Sequence, residues 1–283
     1  MSMSMSMSMS MSMAGGGGGM MPPLGHVPAE LGFRPLTLAF DLGPGAIPSF
    51  PPQSVVAAWS DKLWDPDLVG LLASIEFADT DWQKYAFPDG EAAADYKAEI
   101  PALLDLMQTD RERYLQEIIA QHDNAPLYWL SMMGITQLAK PYTFTLLHIA
   151  LRIGEMAVVF YKKTYKRPRP SQICPGLFPP FGPPGHPAFP SGHSTQGWLM
   201  SYCLLQCLPD QATRDQFKPH LKWLAKRVAR NRERAGLHYK SDSLGGRSLA
   251  KFLMSLLMGS PPASKFHEIL GLAQEEWALP EGR

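Results

Sequence analysis

Three short stretches of this 283-residue chain concentrate the side-chain types that bind oxyanions and move protons. The first, Lys162 to Arg169, places five cations among eight residues and runs into Arg167-Pro168-Arg169-Pro170. The second is Pro190-Ser191-Gly192-His193, which leads straight into an apolar segment. There Gly192 allows close backbone approach and Ser191 supplies a hydroxyl. The first N–H groups of the helix that follows point outward without partners, the usual geometry of an anion site at a helix start. His193 at that edge belongs to the pKa class that exchanges protons near neutral pH. The third stretch carries Arg232, His238 and Asp242. Asp242 falls one helical turn after His238, so its carboxylate can hold the imidazole Nδ1–H and leave Nε2 as a lone-pair donor. Arg232 adds a planar guanidinium fork suited to oxyanions.

Each stretch alone has a plainer reading. Cations at a helix end complement the macrodipole, a serine before a helix is an ordinary N-cap, and a histidine with a nearby aspartate is often a satisfied core pair. Taken together they point to one tetrahedral oxyanion. A buried phosphate-like dianion or trianion needs two or three cations to offset its desolvation, and Lys162, Arg169 and Arg232 supply three. His148, Arg152, Glu155 and Lys162 recur at helical spacing, so this polar stripe on an otherwise apolar helix is expected to face a polar cavity.

The elements that must position these residues read as helices. Leu103, Leu104, Met107 and then Tyr114, Leu115, Ile118, Ile119 recur at intervals of three and four. Leu127 to Leu138 is nearly all apolar and is expected to be a central helix. Pro141 suits the first turn of a long helix reaching about Tyr165. Residues 168–190 hold nine prolines and exclude regular helix or central strand. Helices are expected again over 193–208, 210–235, 241–257 and 264–277. No alternation of strands with helices, internal repeat or nucleotide-binding glycine motif is visible. The expected fold is all-α, a helical bundle, with residues 1–30 a disordered Met-Ser/Gly tail and residues 31–283 a single helical catalytic domain, its Pro/Gly-rich start (about 30–60) wrapping the surface.

Composition narrows the function. Lysine plus arginine number 26 and aspartate plus glutamate 26, which excludes a general nucleic-acid binder of strongly basic character. The chain is 45% hydrophobic and 18% charged, far from a disordered composition. Mean hydropathy is -0.13. The most apolar run, 144–161, contains His148, Arg152 and Glu155, so no membrane span is expected. The start lacks the basic and apolar regions of a secretory signal, so a soluble, cytoplasmic protein is expected. Cys203 and Cys207, four apart in an apolar run, read as a buried helix face rather than a redox or zinc pair. Trp198, Tyr202, Tyr128 and Trp129 read as core, and Lys222, Lys226, Arg227, Arg230 and Arg234 as a solvated helix face.

The set Lys-x6-Arg-Pro, Pro-Ser-Gly-His and Arg-x5-His-x3-Asp resembles the signature shared by type 2 phosphatidic-acid phosphatases, class A acid phosphatases and vanadium-dependent haloperoxidases. Lys162, Arg169, Pro170, Pro190, Ser191, Gly192, His193, Arg232, His238 and Asp242 carry the resemblance, with Asn231 where a serine often stands. It implies a four-helix core. It also implies that Lys162, Arg169, Ser191, Gly192 and Arg232 bind the oxyanion, that His238 is its nucleophile or the axial ligand of a vanadium centre, that His193 is the acid-base residue, and that Asp242 orients His238. Seven residues before the motif histidine stands His186, where bromoperoxidases of this group carry histidine and chloroperoxidases phenylalanine. Val159 departs from the tryptophan or arginine that several haloperoxidases place three residues before the lysine. The resemblance thus implies a vanadate-dependent bromoperoxidase using hydrogen peroxide, bromide and a small organic substrate, with no membrane or nucleic-acid partner, and commonly a homo-oligomer. A soluble acid phosphatase working through a phosphohistidine is the alternative, and a non-catalytic oxyanion-binding module a third.

Overall fold

The computed structural model describes residues 64–261 and 264–278. The tail expected over 1–30 and the segment to residue 63 lie outside the described residues. In chain order the helices are α1 (Pro66–Phe77), α2 (Asp89–Ala92), α3 (Ile100–Thr109), α4 (Arg111–Asn124), α5 (Leu127–Met133), α6 (Pro141–Tyr165), α7 (Pro170–Ile173), α8 (Gly192–Cys207), α9 (Gln211–Arg234), α10 (Lys240–Met258) and α11 (Lys265–Trp277). No strand occurs among the described residues. The all-α bundle expected from the sequence is observed. Helix α8 is its axis, packed against α6, α9 and α10, while α1 and α11 cover α6.

The core follows from side-chain periodicity. Leu146, Leu147, Ile149, Ile153 and Ala157 of α6 are fully buried, as are Leu199, Cys203 and Leu204 of α8 and Leu249 and Leu253 of α10. Because α8 is buried on nearly every side, its N-terminus opens inside the protein rather than into solvent. Helix α10 presses directly on that N-terminus. A Cβ on Gly246 would stand 2.6 Å from the Ser191 carbonyl oxygen, so only glycine fits there. The Ser191 N–H donates to the Asp242 carbonyl at 3.0 Å, and the Ser194 hydroxyl to the Ser243 carbonyl at 2.6 Å. Cys203 and Cys207 are unpaired and buried, and burial pushes the Cys203 thiol up to about 12, which leaves it inert. Trp129 and Trp198 are core residues, whereas Tyr128 and Tyr202 are only partly buried.

Several local readings change. The helix expected over 127–138 stops at Met133, because Gly134 takes a left-handed conformation (φ 62°) that terminates it. The proline-rich stretch still contains one helical turn, α7, begun by Pro170 at a position where its missing N–H costs nothing. The segment Pro141–Ile173 does contain a window long and apolar enough to cross a membrane by length and composition, contrary to the reading of 144–161. That window is 72% buried against other parts of the chain, so its apolar character is accounted for by its central place in the bundle.

The polar stripe on α6 does not face one cavity. His148 Nδ1 lies 2.8 Å from an Asp67 carboxylate oxygen on α1, and Arg152 pairs with Asp67 and Glu155. Only Lys162 reaches the central site. The basic face of α9 is also only partly solvated: Arg227 pairs with Glu117 and Arg234 with Asp110, which fasten α4 to α9.

Candidate active site

The three motifs meet where the N-termini of α8 and α10 approach the C-terminal end of α9. His238 precedes α10, and its Nδ1 lies 3.0 Å from Asp242 Oδ2, as the spacing of four residues predicts. The same Asp242 oxygen accepts the Tyr239 N–H at 3.0 Å, so the carboxylate is fixed by the helix it caps. With Nδ1–H donated to Asp242, Nε2 carries the lone pair and faces Arg169 Nη1 at 3.0 Å. His193, in the first turn of α8, places Nε2 3.3 Å from the Gln121 carbonyl of α4.

These groups surround a small cavity lined by Arg169, His186, Gly192, His193, Arg232 and His238, together with His122, Pro184 and Leu237. Its volume is about 10 Å³, room for about one water molecule. An oxyanion entering it therefore competes with His238 Nε2 for the Arg169 guanidinium and displaces that contact. Arg232 donates Nη2–H to the Ile118 carbonyl at 2.7 Å. Its Nε and Nη1 are buried with no hydrogen-bond partner among the described residues. Buried donors are nearly always paired, so two unpartnered guanidinium nitrogens at a cavity wall mark where an acceptor belongs.

The remaining motif residues stand behind this lining. Lys162 is 1% exposed and donates to the Pro187 and Ala188 carbonyls at 2.7 and 2.9 Å. It thereby fixes the turn before α8 and adds positive charge beside Arg169 and His238. Ser191 does not line the cavity; its hydroxyl accepts the Ser194 N–H and caps α8. Asp242 is wholly buried behind His238. His186 sits in the wall, with Nδ1 3.0 Å from Arg169 Nη2 and its carbonyl accepting from Arg169 Nε.

The electrostatics are those of a cage built for an anion. Burial holds Lys162 well below its ordinary value, and neighbouring Arg169 adds to the shift. Burial brings Arg169 and Arg232 down to about 10. His193 is depressed by burial and then by Arg232. His238 is depressed by burial, Arg169 and Lys162. Both imidazoles are thus neutral near pH 7, and a bound dianion would reverse each of these penalties.

Four participants escaped the sequence reading. Arg167 Nη1 donates to Asp242 Oδ1 at 2.7 Å and to the Ser241 hydroxyl at 2.8 Å, while Nη2 donates to the Glu91 and Ala92 carbonyls. It also lies 4.3 Å from the Phe189 ring centre. Burial raises the Asp242 carboxyl, and Arg167 opposes that rise. The available signal was the Arg-Pro-Arg-Pro alternation, since residues two apart in extended backbone share a face. Arg167 and Arg169 do so, one on Asp242 and the other on His238. His122 and Gln121 of α4 complete the far wall, His122 stacking on Phe181 at 3.9 Å. Arg111 holds that wall to the proline-rich loop, donating to the carbonyls of Arg234, Leu177 and Phe178. Nothing in the spacing of α4 distinguished these residues from an ordinary amphipathic face.

Fold and site together define a helical protein with a buried cationic cavity at its centre. Residues 143–265 match the PAP2 superfamily, and that segment contains all three motifs. The superfamily read from those motifs is thereby borne out over that segment. Among solved structures, the chain is similar to "the first transmembrane PAP2 type phosphatidylglycerolphosphate phosphatase from Bacillus subtilis", at 20% identity over 69% of this chain and 94% of that one, with a TM-score of 0.45. No curated protein matches the chain.

Proposed function

We propose that the protein is a phosphohydrolase that cleaves phosphate monoesters through a phosphohistidine. The observation that carries this reading is the His238 lone pair, set by Asp242 and turned into a cavity whose other walls are His193 and the unpartnered N–H groups of Arg232. Arg169, Arg232 and the Gly192 N–H hold the non-bridging oxygens and stabilise the charge that spreads over them. His238 Nε2 attacks phosphorus as the ester P–O bond breaks, and His193, protonated on anion binding, gives its proton to the leaving oxygen. Water then yields a proton to His193 while its oxygen attacks phosphorus and the N–P bond breaks, restoring both imidazoles. Asp242 keeps Nδ1–H in place and balances the charge on His238 throughout, and Arg167 keeps Asp242 ionised.

The test is turnover of an aryl phosphate between pH 5 and 8, inhibited by vanadate, with an acid-labile, base-stable phosphoenzyme assigned to His238 by mass spectrometry. Absence of both turnover and phosphoenzyme across that range overturns the reading.

A second reading rests on His186 in the cavity wall. The same donor set (Arg169, Arg232, Lys162 behind them and the His238 lone pair) suits vanadate, which these residues would hold. Vanadate would supply peroxide activation without changing oxidation state, as in a bromoperoxidase using hydrogen peroxide and bromide. His186, already against Arg169, would then hold a proton at its imidazole beside that site. Bromination of a phenolic dye by vanadate-treated protein supports this reading, and a rate no higher than a protein-free vanadate blank removes it. A purely binding module needs cations and N–H donors but not an acid-base pair of histidines, so retained function in His193→Ala is its signature.

A further inference from the structure

A second cavity opens beside the cage and shares Arg169, Pro184 and His186 with it. Its volume is about 480 Å³, within the range of small-molecule sites. We propose that it is the leaving-group subsite, and that it selects compact, hydrophilic monoesters whose leaving group carries a second negative charge, against esters with acyl chains. This proposal rests on the phosphohydrolase reading.

Three observations carry it. First, the lining contains no leucine, isoleucine, valine, methionine or phenylalanine; its apolar surface comes from Pro168, Pro183, Pro184 and Pro187. Proline faces are short and their backbone is fixed, so they bound a rigid slot for a small ring or polyol but offer no groove to an alkyl chain. Second, the charged lining is all cationic. Arg167 is committed to Asp242 and Arg169 to the cage, which leaves Lys166, exposed and in no ion pair among the described residues. Gln172 accepts the Arg169 N–H through Oε1 at 2.7 Å, so its Nε2 remains a donor toward the slot.

Third, Lys166 occupies a costly backbone conformation. It ends α6 at φ 48° and ψ 30°, where glycine or asparagine is the ordinary solution. A lysine there carries strain that its own side chain must justify, and strained residues gather at functional sites. Lys166 lines this cavity together with Arg169, which also lines the cage.

The experiment compares phenyl phosphate with 4-carboxyphenyl phosphate, and both with a short-chain phosphatidic acid in detergent. The wild-type protein is expected to favour the carboxylated ester by roughly fivefold in kcat/KM, mainly through KM, the scale of a solvent-exposed ion pair. Salt should erode the preference. Lys166→Gln should bring the ratio close to one, and Lys166→Arg should keep it. Lys166→Gly should also abolish the preference while raising thermal stability, because it relieves the left-handed strain. A ratio unmoved by Lys166→Gln, or faster cleavage of the lipid, overturns the subsite while leaving the hydrolase reading intact. No cleavage of any ester by the wild-type protein overturns the hydrolase reading and this proposal with it.

Discussion

Among the described residues, two buried histidines each pair with an aspartate through Nδ1, and the two pairs differ in everything around them. His238 meets Asp242 at 3.0 Å, and His148 meets Asp67 at 2.8 Å, each through Nδ1. His238 is 4% exposed and His148 5%. Asp242, however, is wholly buried and clamped by Arg167, whereas the Asp67 side chain is half exposed and its neighbour Arg152 is partly exposed. Hydrogen bonding from His148 lowers the Asp67 carboxyl; burial raises that of Asp242. His238 Nε2 looks into a cationic cavity, and His148 Nε2 is enclosed in protein with no partner among the described residues. A dyad is thus a means of orienting an imidazole. The cations and space in front of it decide whether the imidazole does chemistry or joins two helices.

The largest expected contrast is in turnover. His238→Gln should lower kcat/KM for an aryl phosphate on the order of 10⁴-fold, as loss of a member of a catalytic triad does. His148→Gln should leave it within about twofold while costing roughly 1–3 kcal/mol in denaturant unfolding, from the lost charge-assisted bond. Comparable kinetic losses in the two variants would erase the distinction.

The supporting arginines sharpen it next. Arg167→Met strands a buried carboxylate, so a stability loss of about 3–5 kcal/mol and a roughly 10–100-fold fall in kcat are expected. Arg152→Met removes a partly exposed cation paired with partly exposed carboxylates and should cost under about 1 kcal/mol. Equal losses would place Arg167 among ordinary surface pairs.

A smaller contrast lies in the pH dependence of folding. His193 and His238 are depressed in the folded protein, so just below about pH 6.5 the unfolded chain binds the extra protons. Stability therefore rises with pH through that window and is lost as pH falls through about 6.5, with a limiting slope of about 1.4 kcal/mol per pH unit for each histidine. Urea unfolding from pH 5 to 8 should give this slope in wild type and in His148→Gln, and a flatter one in His193→Ala. A flat profile in wild type would mean that the cage does not hold its imidazoles neutral.

The smallest expected effect is on ligand binding. Sulfate, a dianion that does not titrate in this range, should bind several-fold more tightly at pH 6 than at pH 8 by drawing a proton onto His193. Calorimetry in buffers of different ionisation enthalpy would detect that uptake, and it should vanish in His193→Ala but persist in His148→Gln.

The sequence made some of these differences legible and concealed others for identifiable reasons. His238 and Asp242 were readable because their partnership is local, one turn apart. The helical bundle was readable because α6, α8 and α10 repeat their apolar residues at helical spacing. Arg167 was not, since its partner lies 75 positions away and a cluster of five cations offers no ranking. The stripe of His148, Arg152 and Glu155 misled for a related reason. Periodicity shows that side chains share a face, but not whether a cavity or a neighbouring helix bearing Asp67 lies opposite. His122 and Gln121 belong to α4, whose pattern is that of any packed helix, and only the long-range ties through Arg111 and Arg232 reveal its place in the cage wall.

Those ties have a temporal consequence. Arg111 bridges to carbonyls 66, 67 and 123 positions further along the chain, and the Arg232–Ile118 bond spans 114. During synthesis, the wall contributed by α4 emerges long before the carbonyl of Arg234 exists to receive it. Closing this wall therefore requires segments far apart in sequence to be brought together, an ordering cost that the local His238–Asp242 contact does not carry.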